Sequence, residues 1–159
     1  MRLRRVLVSA LLAMFACGFY ARGADARQIK LFFIAVEDNG QSGKKIGCND
    51  SVVPVDVNVA RSASPLKTAY ERLLAVRADT YSPRKLSNAL SKSRLKVRSV
   101  AIRNRTAVVR LTGRLVSAGV CEDPRIEAQL KETALQFPAV ERVSVFVNGV
   151  ALSRLLSGR

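Results

Sequence analysis

Alternation between apolar and polar residues predicts the first two strands of the chain. Residues 29–36 form an uninterrupted apolar run with the length of a buried strand, and a polar, glycine-containing loop follows. Residues 51–60 alternate instead, and their valines share one face: Val53, Val55, Val57 and Val59. Pro54 lies on the other face and has no backbone N–H to donate, which favours a sheet edge for this strand.

A 3.6-residue periodicity predicts the first helix over residues 64–77, with Ser64 as its cap and Pro65 in its first turn. Its apolar stripe consists of Leu66, Ala69, Tyr70, Leu73 and Leu74. A second and shorter helical segment is predicted over residues 82–92, capped by Ser82.

The pattern of residues 94–115 predicts a β-hairpin that turns at residues 104–105. Pairing across a two-residue turn puts Val100 opposite Val109. Val97 falls out of this phase, and a bulge in the two residues that follow it would restore the phase and put Val97 opposite Leu111. The bulge is inferred from the alternation alone.

The last long helix begins after Cys121, where Asp123 is expected to cap it and Pro124 to start it. Pro138 ends this helix, and its apolar face consists of Ile126, Leu130, Ala134 and Phe137. A final alternating strand covers residues 140–149 and closes with an Asn-Gly turn. Residues 153–159 are expected to form a short tail.

The order of these elements predicts an α+β fold. We expect a single domain with a mixed or antiparallel β-sheet of about five strands and two main helices on one face. The chain has 159 residues, which is the length of one domain and a leader.

The first 26 residues have the layout of a secretory signal peptide, so residues 27–159 are the expected mature protein. Arginines at the start precede the apolar run 6–21, and small residues follow at the spacing that a signal peptidase requires. A retained membrane anchor is the alternative, although the run is short for a span of about 20 residues. Cys17 could carry a lipid, but Phe15 is bulky where a lipoprotein signal has a small residue. We expect an extracytoplasmic protein that is secreted, periplasmic or associated with the envelope.

Two cysteines remain after the leader, and both lie in loop-like sequence. An oxidising compartment favours a disulfide between Cys48 and Cys121, and the entropy of the closed loop makes it worth about 4 kcal/mol. A metal site is disfavoured because the chain has no His and no closely spaced cysteine pair. A reactive thiol is disfavoured because no His could activate it.

The net charge of +15 is the strongest functional signal in the composition. Residues 1–26 contain four arginines and one aspartate, so the rest of the chain keeps 23 basic and 11 acidic residues, a charge of +12. The hairpin holds the residues that we expect to meet an anionic partner: Arg94, Lys96, Arg98, Arg103, Arg105, Arg110 and Arg114. Phospholipid head groups, wall polymers and acidic proteins are such partners. A solvated face that keeps the protein soluble is the alternative.

Nucleic acid is not an expected partner. Export removes the protein from nucleic acid, and only 6% of residues are aromatic, which leaves few side chains for base stacking. Without His the chain has no Ser-His or Cys-His pair, and its carboxylates are scattered along the sequence. We therefore expect no enzymatic activity, no cofactor and no metal.

Several stretches resemble the GerMN domain of sporulation and spore-germination proteins. They are "SVVPVDVNV", "PLKTAYERLLA", the hairpin "VRSVAIRNRTAVVRLTG" and the segment "ALQFPAVERVSVFVNGVAL". The motifs around the cysteines, "GCNDSVVPV" and "GVCEDPRIEAQL", are similar to those of single-domain exported members. The resemblance covers residues 29–152.

The resemblance implies a non-catalytic envelope module that mediates protein interaction or scaffolding outside the cell membrane. Its expected partner is another exported protein or a second copy of the chain. The family has no established catalytic residues, so none is assigned here. An electrostatic binder of wall polymer or membrane, acting through a basic sheet face, is the second hypothesis.

Overall fold

The computed structural model describes residues 26–82 and 84–157, so the predicted signal peptide, including Cys17, lies outside the described residues except for Ala26. The strands are β1 (Ala26–Ala35), β2 (Lys44–Lys45), β3 (Ser51–Ala60), β4 (Thr80–Tyr81), β5 (Leu86–Ser87), β6 (Arg94–Arg103), β7 (Thr106–Arg114), β8 (Arg142–Val147) and β9 (Val150–Ala151). The helices are α1 (Pro65–Ala75), α2 (Glu122–Leu135) and α3 (Leu152–Ser157). The predicted α+β class with two main helices is confirmed.

The strands form two sheets, where the sequence predicted one sheet of about five strands. The first sheet has the order β2-β3-β1-β5-β4, and the second has the order β6-β7-β8-β9. Strand β1 pairs with β3 along its whole length, but on its other side it meets β5 at a single position. The second sheet is separate because helix α2 occupies the remaining edge of β1.

Two glutamine side chains, from Gln129 in α2 and from the C-cap residue Gln136, close that edge of β1. The Gln136 amide accepts a hydrogen bond from Lys30 N at 2.8 Å and donates one to Lys30 O at 2.9 Å. The Gln129 Nε2 donates to Phe32 O at 2.7 Å, and its Oε1 accepts from Ala89 N at 2.8 Å. The helix therefore satisfies backbone groups that a neighbouring strand would otherwise pair.

The β6–β7 hairpin has the predicted register. Val100 lies opposite Val109, the register shifts between Val97 and Ser99, and Val97 lies opposite Leu111. The turn residues Asn104 and Arg105 have positive φ angles of 46° and 60°, as the tight two-residue turn of a hairpin requires. Strand β8 returns parallel to β7 after α2 has crossed over.

One core joins the inner faces of both sheets to the helices. The predicted stripe of α1 is buried in it, as are all four predicted apolar residues of α2. Every described residue of this core lies between Ile29 and Leu156, so all of them are kept when residues 1–26 are removed.

The predicted helix over residues 82–92 is wrong. Strand β5 and a series of turns are found there instead. The buried Asn88 ties this segment to the end of α1, because its Nδ2 donates to Val76 O and Ala78 O. Its backbone N–H donates to Asp79 O at 2.8 Å, which is incompatible with a local helix.

The predictions for the start of α2 and for the tail also need correction. Cys121 is the N-cap residue of α2, and Asp123 lies inside the first turn, where it accepts a hydrogen bond from the Ser117 hydroxyl. The expected tail instead forms α3, because Leu152 and Leu156 are buried in the core.

Candidate binding surface

The disulfide between Cys48 and Cys121 joins the segment between β2 and β3 to the start of α2. Beside it, Arg125 Nε donates to Asp50 Oδ2 at 2.6 Å, and this hydrogen bond raises the pKa of Arg125. The Asp50 side chain is fully buried, and its other oxygen accepts from Glu37 N at 2.9 Å. The carboxylate is therefore satisfied by groups of the fold, and the cluster holds two segments together.

The second sheet has one side on which none of the described helices packs, and we call this side the outer face. The buried residues of the described helices share a core with inward residues such as Ala107, Val109 and Leu111, so these helices lie against the inner face. Strand registers place alternate residues of β6, β7 and β8 on the outer face. Its cationic members are Arg94, Lys96, Arg98, Arg103, Arg110, Arg114 and Arg142.

The outer face carries charge of one sign. None of the described strand residues that face outward is Asp or Glu, and none of the seven cations forms an ion pair with the described residues. Arg94 lies directly opposite Arg114 in the ladder. Like charges in that position destabilise a sheet, so an anion that binds here would relieve a repulsion.

Six of the seven predicted binding residues come together on this face, and Arg105 does not. It lies in the turn, where its Nη2 is 2.9 Å from Glu141 Oε1. Its carbonyl oxygen accepts hydrogen bonds from the backbone N–H groups of Glu141 and Arg142. Arg105 therefore holds Glu141 and Arg142, where the chain enters β8, against the hairpin turn.

Arg142 and Phe146 were not predicted from the sequence, and they join the outer face from β8. Arg142 Nη2 donates to Asn104 O at 3.0 Å, and the Arg110 guanidinium lies 5.9 Å from the centre of the Phe146 ring. The second distance is within the range of a cation–π interaction. Alternation along residues 142–147 puts both side chains on the other face of the strand from its buried valines, and this pattern can be read from the sequence.

A shallow cavity lies on the outer face at the bulge in β6. Arg98 and Ser99 both face outward at the bulge, and they line a cavity of about 410 Å³ with Arg110 and Thr112. The side chains that line it offer two guanidinium groups and two hydroxyl groups. Such donors suit phosphate or carboxylate oxygens.

Other chemistry has little support in the described residues. They contain no cluster of Asp, Glu and Cys that could hold a metal ion, and no buried side-chain polar atom lacks a partner. Burial raises the pKa of Tyr70, whose hydroxyl donates to Leu130 O at 2.6 Å, so this group is a structural contact. No helix among these residues has the length and apolar character needed to cross a membrane.

Residues 30–153 match the family described as "Germane: Sporulation and spore germination". The chain belongs to this family. The match covers both sheets and the helices that join them, so membership applies to the fold that carries the outer face. No curated protein matches the chain.

Two solved structures share the fold. The first GerMN domain of the sporulation protein GerM from Bacillus subtilis has a TM-score of 0.56 at 20% identity, covering 79% of this chain and 85% of that one. The tandem GerMN domains of the same protein also give 0.56, at 15% identity, covering 80% of this chain and 40% of the tandem structure. This chain thus spans less than half of the two-domain protein.

Proposed function

We propose that the protein is a non-catalytic, extracytoplasmic module of the cell envelope that binds another envelope protein through the outer face. The observation that carries the proposal is the outer face itself, a sheet surface that no described helix covers, with seven cations and no carboxylate on its described strands. Its partner presents an acidic surface. Two copies of this face would repel each other.

The composition of the outer face supports a protein partner. Arg110 and Phe146 lie in contact distance, and arginine and aromatic residues are the types enriched at protein interfaces. Membership in a family described by sporulation and spore germination, together with the likeness to a sporulation protein, favours a role in envelope assembly.

An anionic wall polymer or membrane surface is the second candidate. The cavity at the bulge favours it, because Arg98 and Arg110 both line this cavity and guanidinium groups suit phosphate or carboxylate oxygens. This binding would be dominated by charge, so it would weaken steeply as salt rises.

Sedimentation of the protein with isolated envelopes separates the two candidates. Intact envelopes, protease-treated envelopes and purified sacculi are compared over a salt series. Retention that is lost after protease treatment supports a protein partner, whereas salt-sensitive retention on sacculi supports the wall polymer. Equal retention of the wild type and of the variant with Arg110 and Arg114 replaced by serine would contradict both candidates.

The variants are Arg110→Ser with Arg114→Ser, and the matched control is Arg72→Ser with Arg154→Ser. Both pairs remove two exposed arginines, but the control pair lies on α1 and α3. The proposal expects the first pair to lose retention and the control pair to keep it.

A further inference from the structure

We propose that the open edge of β6 receives an extended acidic segment of the partner, which adds to the second sheet as a further strand. This inference rests on the proposed function and names the mode of binding. Strand addition supplies affinity through main-chain hydrogen bonds and specificity through alternate side chains.

The backbone of β6 is available for such pairing. Its one neighbour in the described residues is β7. In a hairpin with a two-residue turn, Arg103 and Thr106 exchange both backbone bonds, and alternate residues beyond them do the same. Val100 and Ile102 therefore direct their N–H and C=O groups away from β7, and these groups have no partner among the described residues.

The other sheet edges are less suited to a long added strand. Gln129 and Gln136 occupy the edge of β1. Strand β2 covers the first two residues of β3. Beyond them Pro54 has no backbone N–H to donate, which interrupts the row of backbone donors along the edge of β3. Strand β9 has two residues. The edge of β6 extends over ten residues.

Charge determines which strand β6 accepts. An added strand would lie beside Lys96 and Arg103 on the outer face, within reach of cross-strand pairing. Acidic residues at alternate positions would pair with these cations. A second copy of β6 would instead bring arginines and lysine together, so the same charges exclude self-pairing.

A groove beside β6 determines which side chains the incoming strand should carry on its other face. It has a volume of about 360 Å³ and lies between α1 and the first half of β6. Leu74, Ala75, Leu95 and Val97 contribute its apolar lining. The partner segment is therefore an amphipathic strand that alternates acidic residues with apolar ones.

Amide hydrogen exchange with synthetic peptides tests the inference on oxidised protein lacking residues 1–26. The probe is a decapeptide that alternates Glu and Val, and the controls are a Lys-Val alternation and a Glu block followed by a Val block. Strand addition predicts that only the first peptide slows exchange at Val100 and Ile102. Protection by the block peptide as well, or by neither acidic peptide, would overturn the proposal.

A proline variant tests the role of the outward N–H. Ile102 is exposed by 42%, so Ile102→Pro removes the donor without opening the core, and affinity for the alternating peptide should fall on the order of tenfold. The matched control is Asn58→Pro, which places proline on the open edge of β3 in the same phase as Pro54 and should leave affinity unchanged.

Charge variants keep the inference testable if the proline variant does not fold. The double variant Lys96→Ser with Arg103→Ser leaves the backbone intact. Its affinity for the alternating Glu-Val peptide should fall on the order of tenfold or more. Unchanged affinity would contradict the proposed pairing. Envelope retention that needs Arg110 and Arg114 without protection of Val100 would refute strand addition and leave the proposed function standing.

Discussion

Arg125 and Asp50 meet at 2.6 Å across the junction that the disulfide also closes. Asp50 precedes β3 and Arg125 lies in the second turn of α2, so the ion pair fastens the helix to the first sheet. The Asp50 side chain is fully buried and the Arg125 side chain is exposed by 18%. The buried charge depends on this partner, because an unpaired carboxylate in that position would be costly.

Arg125→Ala should therefore destabilise the protein by about 3 kcal/mol, measured by urea denaturation. Lys131→Ala is the control on the same helix, because its exposed pair with Glu127 should contribute about 0.5 kcal/mol or less. Asp50→Asn should lower the free energy of unfolding by less in the Arg125→Ala variant than in the wild type. Additive effects of the two changes would contradict the coupling.

Loss of the disulfide should reduce stability by about 4 kcal/mol, because it closes a separation of 73 residues. The double variant Cys48→Ser with Cys121→Ser tests this without a reductant, and unfolding is followed by circular dichroism. A reductant should lower the stability of the wild type to that of the variant and leave the variant unchanged. A wild type that titrates two free thiols would show that the bond does not form.

Gln129→Leu should cost about 3 kcal/mol, because it leaves Phe32 O and Ala89 N buried without partners. Gln136→Leu should cost less, since Gln136 is partly exposed and water can replace its amide. Hydrogen exchange should accelerate at the Ala89 amide in the first variant and at the Lys30 amide in the second. Equal stability of the two variants would argue against the edge closure described for β1.

Hydrogen bonds from Ser42 and Ser51 lower the pKa of Asp38. Its contribution to the loop is therefore present above the unfolded pKa and is lost as pH falls through the lower folded value. Ser42→Ala should raise the pKa of Asp38 towards its usual value, as followed by NMR. Ser153→Ala, on α3, should leave it unchanged, and a similar shift in both variants would refute the assignment.

The local pattern predicted the hairpin well because the alternation and the turn lie in one continuous segment. Val97 could be placed opposite Leu111 from phase alone, and the structure has that register. The role of Gln129 could not be predicted, because its amide bonds Phe32, 97 residues away, and a buried polar residue on a helix has no distinctive pattern. The two-residue strand β5 is too short for periodicity to reveal.

The part of the candidate surface that lies within one strand could be predicted, because spacing along a strand determines which residues share a face. Arg110 and Arg114 share a strand, so their common face follows from their spacing. Phe146 joins them through the parallel pairing of β8 with β7, which depends on the path of α2 through the core. Arg105 was misplaced because the turn breaks the alternation and Glu141 neutralises its charge.

Site-specific photo-crosslinking in native cells tests most directly whether the outer face binds a protein. A photoreactive residue is placed at Thr112 or Ala101 on the outer face, and at Arg72 or Arg154 on the helical side as controls. The account predicts a discrete cross-linked envelope protein from the outer positions and none from the controls. Cross-links that form from the helical side alone would contradict it.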